Sequence, residues 1–172
     1  SDPGVVASRT SVALHEHLDL RTGNAAGVAN KSNGCSGLDY TGPWAGNSQR
    51  SKDLRKAFLL TVPRQVIANT YIGKVFDPAF NGTSPLQNSS FSLTTEGDYS
   101  KVVAGSSAYV NEFVKDQDSR IAAALTIMKK YYSDAAANSN SMTIKLLTAD
   151  STRRADIGLQ IKLQAARVGI NV

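Results

Sequence analysis

The chain has 172 residues, which is enough for one domain with a substantial core and too few for two ordinary domains. Its apolar content of 41% and charged content of 19% are typical of a globular protein, and no apolar run is long enough for a membrane-spanning helix. The net charge of +5 permits an acidic partner, but the basic residues are spread along the sequence without a block of interleaved aromatics. We therefore predict a single domain over residues 1–172 and no nucleic-acid partner.

Residues 5–20 alternate between apolar and polar side chains, which predicts a strand. His15 and His17 would share one face of it. A His-x-His pair binds zinc or copper when further ligands complete the site, but the chain has only these two histidines and one cysteine, so carboxylates would have to do so. We favour the alternative, polar residues on a strand face beside a cleft. This interpretation predicts no metal and no cofactor.

Residues 21–50 are rich in Gly, Asn, Ser and Thr, which predicts an unusually long loop. Tyr40 and Trp44 are its large aromatic side chains. Aromatic residues on a loop either close over a ligand or pin the loop to the core, and both interpretations stay open for Trp44. Cys35 is the only cysteine, so the chain has no internal disulfide, and the lack of a nearby histidine argues against a nucleophile.

Residues 51–86 begin as a helix, with Ser51 as the predicted N-cap and Asp53 in the first turn. Pro63 is expected to end this helix, and a second apolar helical face then continues to Gly73, followed by a Pro/Gly loop. The predicted apolar positions of the first helix are Leu54, Ala57, Phe58, Leu60 and Val62. Those of the second are Val66, Ile67, Thr70 and Tyr71.

Residues 118–132 predict a further helix, because they are rich in alanine and contain no breaker. The segment before it is polar, with a short helical turn predicted at residues 109–115. The predicted buried stripe of the helix contains Ile121, Leu125, Met128 and Tyr132.

Residues 142–172 predict a strand, a helix and the beginning of a second strand. Residues 142–147 alternate, and Asp150 or Ser151 then offers an N-cap. Residues 151–168 fit both strand and helix periodicity, but their length and the following Gly169 favour a helix. A strand that begins at Ile170 would complete a βαβ unit with parallel strands.

Two regions of the chain have a distinctive order of residues. The first contains Asp53 to Phe58, Pro63 to Ile67, Gly73, Pro78, Ala79, and Ser84 to Leu86. The second, in the tail, contains Thr143 to Leu147, Arg153, Arg154, and Val168 to Val172. This order resembles that of the family 5 extracellular solute-binding proteins, the oligopeptide and dipeptide receptors of ABC importers. The chain departs from the family pattern at Pro63, where members usually have an acidic residue before the arginine.

The resemblance implies an α/β fold, a periplasmic-binding-protein-like lobe of type II, cluster C, with a mixed sheet and packed helices. The chain would be most of the second lobe of a two-lobed receptor, truncated in its last strand and not an enzyme. It would capture peptides or similar small solutes between the lobes for an ABC importer. The implied partners are the solute, the ABC transporter permease and the missing first lobe. The implied location is extracytoplasmic, with a lipid anchor on the full-length bacterial protein.

In relatives the strand that carries His15, Glu16 and His17 here borders the cleft, so the resemblance implies that one of the three faces the ligand, and His17 is the candidate. Arg153 and Arg154 are the remaining binding candidates, because relatives reach toward the far end of a bound peptide from this helix start. A guanidinium there would pair with a carboxylate, and the helix N-terminus would add a favourable dipole. The alternative is a solvated helix start. The residue that anchors a peptide's amino terminus in the family lies beyond Val172, so no residue of this chain is expected to have that role.

Two other functions stay open on the sequence alone. A hydrolase needs a nucleophile, a base and an orienting group, and the chain has neither a Gly-x-Ser-x-Gly nor a His-Glu-x-x-His motif. A structural or assembly domain is compatible with the loop-rich composition.

Overall fold

The computed structural model describes Leu18, Leu20 and Thr70 together with residues 42–68, 115–148 and 150–172. By contacts the chain divides into two compact units, and every element described below belongs to the one formed by Asp19–Thr83 and Val110–Val172. Of the other unit, Ser1–Leu18 with Ser84–Tyr109, only Leu18 is described. Because one domain often contains more than one compact unit, the single domain over residues 1–172 stays a prediction.

Helix α1 spans Gln49–Thr61, and Pro63 separates it from the short helix α2, Arg64–Ile67. The predicted stripe is confirmed, because Leu54, Ala57 and Leu60 are fully buried and Phe58 is 1% exposed. The break at Pro63 is also confirmed. Val62, the residue before the proline, has an extended backbone (ψ 117°), as the clash with a following proline ring requires.

Helix α3, Gln117–Lys129, runs antiparallel to α1 and packs against it. At one end, Gln117 Nε2 donates to the carbonyl oxygen of Thr61 (2.9 Å). At the other end, Tyr131, just beyond α3, donates to Asp53 near the start of α1. The apolar side chains of α3 that are buried are Ile121, Ala124 and Met128.

Strands β1, Met142–Thr143, and β2, Ile170–Asn171, pair in parallel, and helix α4, Thr152–Ala166, connects them. Met142 N–H donates to the Gly169 carbonyl and Ile144 N–H to the Asn171 carbonyl, both at 2.9 Å. The predicted strand–helix–strand unit is therefore confirmed, and so is the helical interpretation of residues 151–168. The periplasmic-binding-protein-like architecture as a whole stays a prediction.

The first N-cap was predicted at the wrong residue. Ser48 caps α1 by accepting from the Ser51 amide (3.1 Å), whereas the Ser51 hydroxyl, now inside the helix, donates back to the Ala45 carbonyl (2.6 Å). Val66 was predicted on an apolar face but is 47% exposed, because α2 is a single turn that does not bury it. The continuation to Tyr71 and Gly73 lies outside the described residues, apart from the exposed Thr70.

Two further boundaries differ from the predictions. Helix α3 ends at Lys129, three residues before the predicted end, and Leu125 and Tyr132 are half-buried where full burial was expected. Strand β1 stops at Thr143 although alternation continues to Leu147, because the strand extends only as far as it has a partner. The predicted strand at 5–20 and the turn at 109–115 lie outside the described residues, except for Leu18, Leu20 and Lys115.

Among the described residues, no helix has both the length and the apolar character that crossing a membrane would require.

Candidate functional site

The start of α4 carries the two arginines that the sequence singled out. Arg153 and Arg154 lie in the first turn, and both are exposed. Ser151 is the N-cap residue, with an extended backbone (φ −157°, ψ 124°), but its side chain makes no capping hydrogen bond. First-turn amides of a helix have no intrahelical partner, so this end of α4 offers donors to an anion without competition from the Ser151 hydroxyl.

The charge around this helix start is balanced. Asp150 and Asp156 are exposed and lie within a few residues of Arg153 and Arg154, so the four side chains add to no net charge. A carboxylate would therefore be held by short-range hydrogen bonds and the helix dipole, since no broad positive potential surrounds the site. Such a site is suited to a ligand that places a carboxylate directly on a guanidinium.

Trp44 lies in the segment that leads into α1 and packs on the core residue Phe58. Its ring centroid is 5.2 Å from that of Phe58, with the planes tilted by 51°. Arg55 also holds this segment, because its guanidinium donates to the carbonyl oxygens of Trp44 (2.7 Å) and Gly46 (2.8 Å). These contacts agree with the second interpretation of Trp44, in which the aromatic side chain holds the loop against the core. Its half-exposed side chain leaves ligand binding as a prediction.

The other sequence-derived candidates are not placed by the described part of the chain. His15, His17 and Cys35 lie outside it. Within it, no group of three or more His, Cys, Asp or Glu side chains is arranged to hold a metal ion. The structure thus places Trp44 against α1 and the arginine pair in the first turn of α4.

A second concentration of charge was missed by sequence reasoning. Residues 49–56 and 129–134 carry six basic and two acidic side chains, a net of +4 out of the +5 of the whole chain. The antiparallel packing brings the start of α1 to the end of α3, so these segments meet. We call their basic side chains the basic cluster: Arg50, Lys52, Arg55, Lys56, Lys129 and Lys130.

Two tyrosines that follow α3 contact the start of α1. The Arg50 guanidinium lies 5.6 Å from the ring centroid of Tyr131 and 5.5 Å from that of Tyr132, and it donates to the Tyr132 hydroxyl (3.3 Å). The Tyr131 hydroxyl donates to Asp53 Oδ2 at 2.7 Å, and Lys130 Nζ lies 3.7 Å from the same oxygen. The hydrogen bonds from Tyr131 and from Gln49 hold the pKa of Asp53 below its usual value of 3.8. The same carboxylate raises the pKa of Tyr131 above 10.0.

A buried arginine closes the opposite end of the helix pair. Arg120 is only 4% exposed, and its guanidinium donates to the Val62 carbonyl (3.0 Å) and to the Gln117 side chain. Its Nε has no hydrogen-bond partner within the described part of the chain. Burial and the nearby Arg64 lower the pKa of Arg120. A cation at the C-terminus of α1 complements the helix dipole, so we interpret Arg120 as a structural cap of that helix.

Comparisons with protein-family models, with curated proteins and with solved structures found no match for this chain.

Proposed function

We propose that the chain is a lobe of an extracytoplasmic substrate-binding protein that captures peptides or similar small solutes for an ABC importer. The observation that carries the proposal is the parallel β1–α4–β2 unit with Arg153 and Arg154 exposed in the first turn of its helix. This unit stands where the resemblance to the family 5 solute-binding proteins expects it. The helix break at Pro63, between the two halves of the other resembling region, supports the same assignment.

The proposed chemistry is recognition of a ligand carboxylate by Arg153, assisted by the first-turn amides of α4. A guanidinium presents two parallel N–H donors to a carboxylate, and such charge-assisted hydrogen bonds are about twice as strong as neutral ones. Ser151 makes no side-chain capping hydrogen bond, so its hydroxyl does not compete with a ligand for those amides. No reaction follows from this arrangement, so the proposed role is binding without catalysis.

The proposed partners follow from the two-lobed architecture. The first lobe of the same protein would supply the other wall of the ligand cleft, and hinge closure would enclose the solute. The exposed leucines of α4, Leu159 at 51% and Leu163 at 53%, support contact between this helix and further protein. The closed receptor would then meet the transporter permease at the extracytoplasmic side of its membrane, where a lipid anchor would hold the full-length protein.

Arg153→Ala tests the proposal in the complete two-lobed receptor. We expect the dissociation constant for a peptide with a free carboxyl terminus to rise at least about tenfold, because a hydrogen bond to a charged group contributes about 1.5–3 kcal/mol. Isothermal titration calorimetry measures this change. Arg153→Lys should recover only part of the affinity, since an ammonium lacks the two-donor fork.

Lys162→Ala is the matched control, because Lys162 is an exposed cation on the same helix, away from its start. Lys162→Ala should leave the affinity unchanged. The Arg153→Ala variant and the parent should bind peptides with an amidated carboxyl terminus equally well. Equal losses in the two alanine variants would reduce Arg153 to a surface residue. The 172-residue chain alone should bind peptides weakly or not at all, so micromolar binding by the isolated chain would overturn the lobe assignment.

A further inference from the structure

The basic cluster has a distribution of side chains that its charge alone does not explain. Both of its arginines have partners within the protein, since the exposed Arg50 lies over the rings of Tyr131 and Tyr132 and Arg55 donates to backbone carbonyls before α1. Three of its lysines, Lys52, Lys129 and Lys130, are exposed as well. The surface therefore presents mainly flexible ammonium groups, together with one guanidinium that is held over two tyrosine rings.

The predominance of exposed lysines indicates which kind of anion the basic cluster would bind. Arginine is suited to bidentate recognition of single carboxylates or phosphates, whereas lysine is a hydrated point charge on a flexible stem. Lysines suit a partner whose negative charge is spread over an area and need not be matched group by group. An anionic lipid headgroup layer has this property, and each nearby lysine adds to the attraction.

The tyrosines strengthen the case for a lipid surface over nucleic acid. Binding of single-stranded nucleic acid needs exposed aromatic faces on which bases stack. Tyr131 and Tyr132 are half-buried, and the Arg50 guanidinium lies over both rings. Half-buried tyrosines beside exposed lysines are instead the side chains enriched at membrane–water interfaces.

Of the two carboxylates in the segments that form the basic cluster, Asp53 is neutralised locally. Asp53 is 16% exposed at its side chain, accepts from Tyr131 and from Gln49, and lies beside Lys130. These donors and the lysine offset its negative charge, so Asp53 repels an approaching anion less than an exposed aspartate would. Asp134, the other acidic residue of the two segments, accepts hydrogen bonds from Asn138 and Ser141.

We propose that the basic cluster, at the joined ends of α1 and α3, docks the protein on an anionic phospholipid surface. The proposal is independent of the proposed function, because it is carried by the lysines and tyrosines of α1 and α3 and uses no residue of α4. A lobe that binds no peptide could still dock in this way, and a peptide receptor could lack it.

Co-sedimentation with vesicles tests the proposal on the 172-residue chain. The chain should bind vesicles of phosphatidylcholine mixed with phosphatidylglycerol and should not bind phosphatidylcholine alone. Raising the salt concentration from about 0.1 M to about 1 M should release it, because the screening length falls from about 10 Å to about 3 Å. Binding to both kinds of vesicle alike, or to neither, would overturn the proposal.

The double variant K52E/K129E removes one exposed lysine from each helix of the cluster. Each lysine near an anionic surface is worth about fivefold in binding, so the variant should lose at least about 25-fold. The matched control is K115E/K162E, which changes the net charge equally through exposed lysines just before the start of α3 and on α4. It should keep most of the binding, and circular dichroism melting should show both variants folded.

Equal losses in the two double variants would show a nonspecific effect of net charge and refute a defined docking surface. The alternative partner, an acidic polypeptide, has its own result. If the chain ignores anionic vesicles but binds polyglutamate, and K52E/K129E alone removes that binding, the lipid proposal is wrong and the cluster recognises an acidic protein segment.

Discussion

Asp53 is the residue on which the contacts between the start of α1 and the end of α3 converge. Its carboxylate accepts from Tyr131 at 2.7 Å and from Gln49 at 2.7 Å, and Lys130 lies 3.7 Å away. Tyr131 comes from a segment 78 residues later in the chain, so this hydrogen bond is a tertiary contact. It favours the charged form of Asp53 and thereby lowers the pKa of that carboxyl below 3.8.

Tyr131→Phe should therefore destabilise the protein in a pH-dependent way. Because the folded-state pKa of Asp53 is lowered, its contribution to stability is complete above pH 3.8 and is lost as the pH falls through the lowered pKa. At pH 7 we expect the variant to melt a few degrees below the parent, and the gap should close in acid. It should also narrow as the pH rises above 10.0 and Tyr131 ionises, since the pKa of Tyr131 is raised by Asp53. Melting temperatures across this pH range measure the effect.

Tyr132→Phe is the control for this measurement. The Tyr132 hydroxyl accepts from Arg50 at 3.3 Å, so its described partner is a guanidinium and no carboxylate that titrates in acid. Its effect on the melting temperature should stay constant between neutral and acid pH. If the two variants show the same pH dependence, the Tyr131–Asp53 hydrogen bond does not account for the acid sensitivity.

At the scale of elements, Gly169 controls how α4 passes into β2. Its φ of +83° lies in the left-handed region that side chains disfavour. A Cβ atom there would stand 2.9 Å from both Cα and O of Ala135 and 3.0 Å from the carbonyl oxygen of Asn138. The loop after α3 thus packs its backbone directly on the start of β2, and the position needs glycine for two separate reasons.

Gly169→Ala and Gly46→Ala separate those two reasons. Gly46 has nearly the same φ, +80°, but nothing lies within 4 Å of the position of its Cβ. Gly46→Ala should cost only the backbone strain, about 1–2 kcal/mol of unfolding free energy. Gly169→Ala should cost that amount and about 1–3 kcal/mol more from overpacking against Ala135. Urea denaturation measures both, and equal losses would mean that the loop moves aside at no cost.

Sequence patterns located these elements better than they located their ends. The apolar periodicity of α1, the break at Pro63 and the stop at Gly169 depend on local backbone chemistry, which the sequence carries. The cap at Ser48 was missed because the Ser51 hydroxyl, the expected cap, donates to the Ala45 carbonyl, a contact that exists only after the chain folds back.

The two candidate sites differ in how far sequence reasoning reached. Arg153 and Arg154 adjoin in the sequence and were found by a helix-start pattern and a family resemblance. The basic cluster combines segments far apart in the chain, and a count of Lys and Arg along the sequence recorded only that they are dispersed. Nothing in the local pattern states that α1 and α3 pack antiparallel, so the contacts of Arg50 with Tyr131 and Tyr132 were not predictable from it.

For the molecule as a whole, the question is whether the α1–α3 pair and the β1–α4–β2 unit share one cooperative core. Phe58 is 1% exposed and packs on Trp44, and α1 contacts both α3 and α4. Met142, Ile161 and Ile170, from the strands and their connecting helix, are also buried. Because α1 contacts both α3 and α4, continuous packing through α1 would couple the stability of the α1–α3 pair to that of the β1–α4–β2 unit.

Phe58→Ala should therefore destabilise distant elements as well as its own. Truncating a buried phenylalanine costs about 3–5 kcal/mol, a large part of the stability of a domain, so Phe58→Leu provides a milder variant that stays folded. Hydrogen exchange at the Met142 and Ile144 amides, which bond to the carbonyls of Gly169 and Asn171, should accelerate together with exchange in α1 and α3. Val66→Ala, at a side chain 47% exposed, should change neither. Faster exchange confined to α1 and α3 would instead make the strand–helix–strand unit an independent folding unit, and the two candidate sites would then be energetically separate.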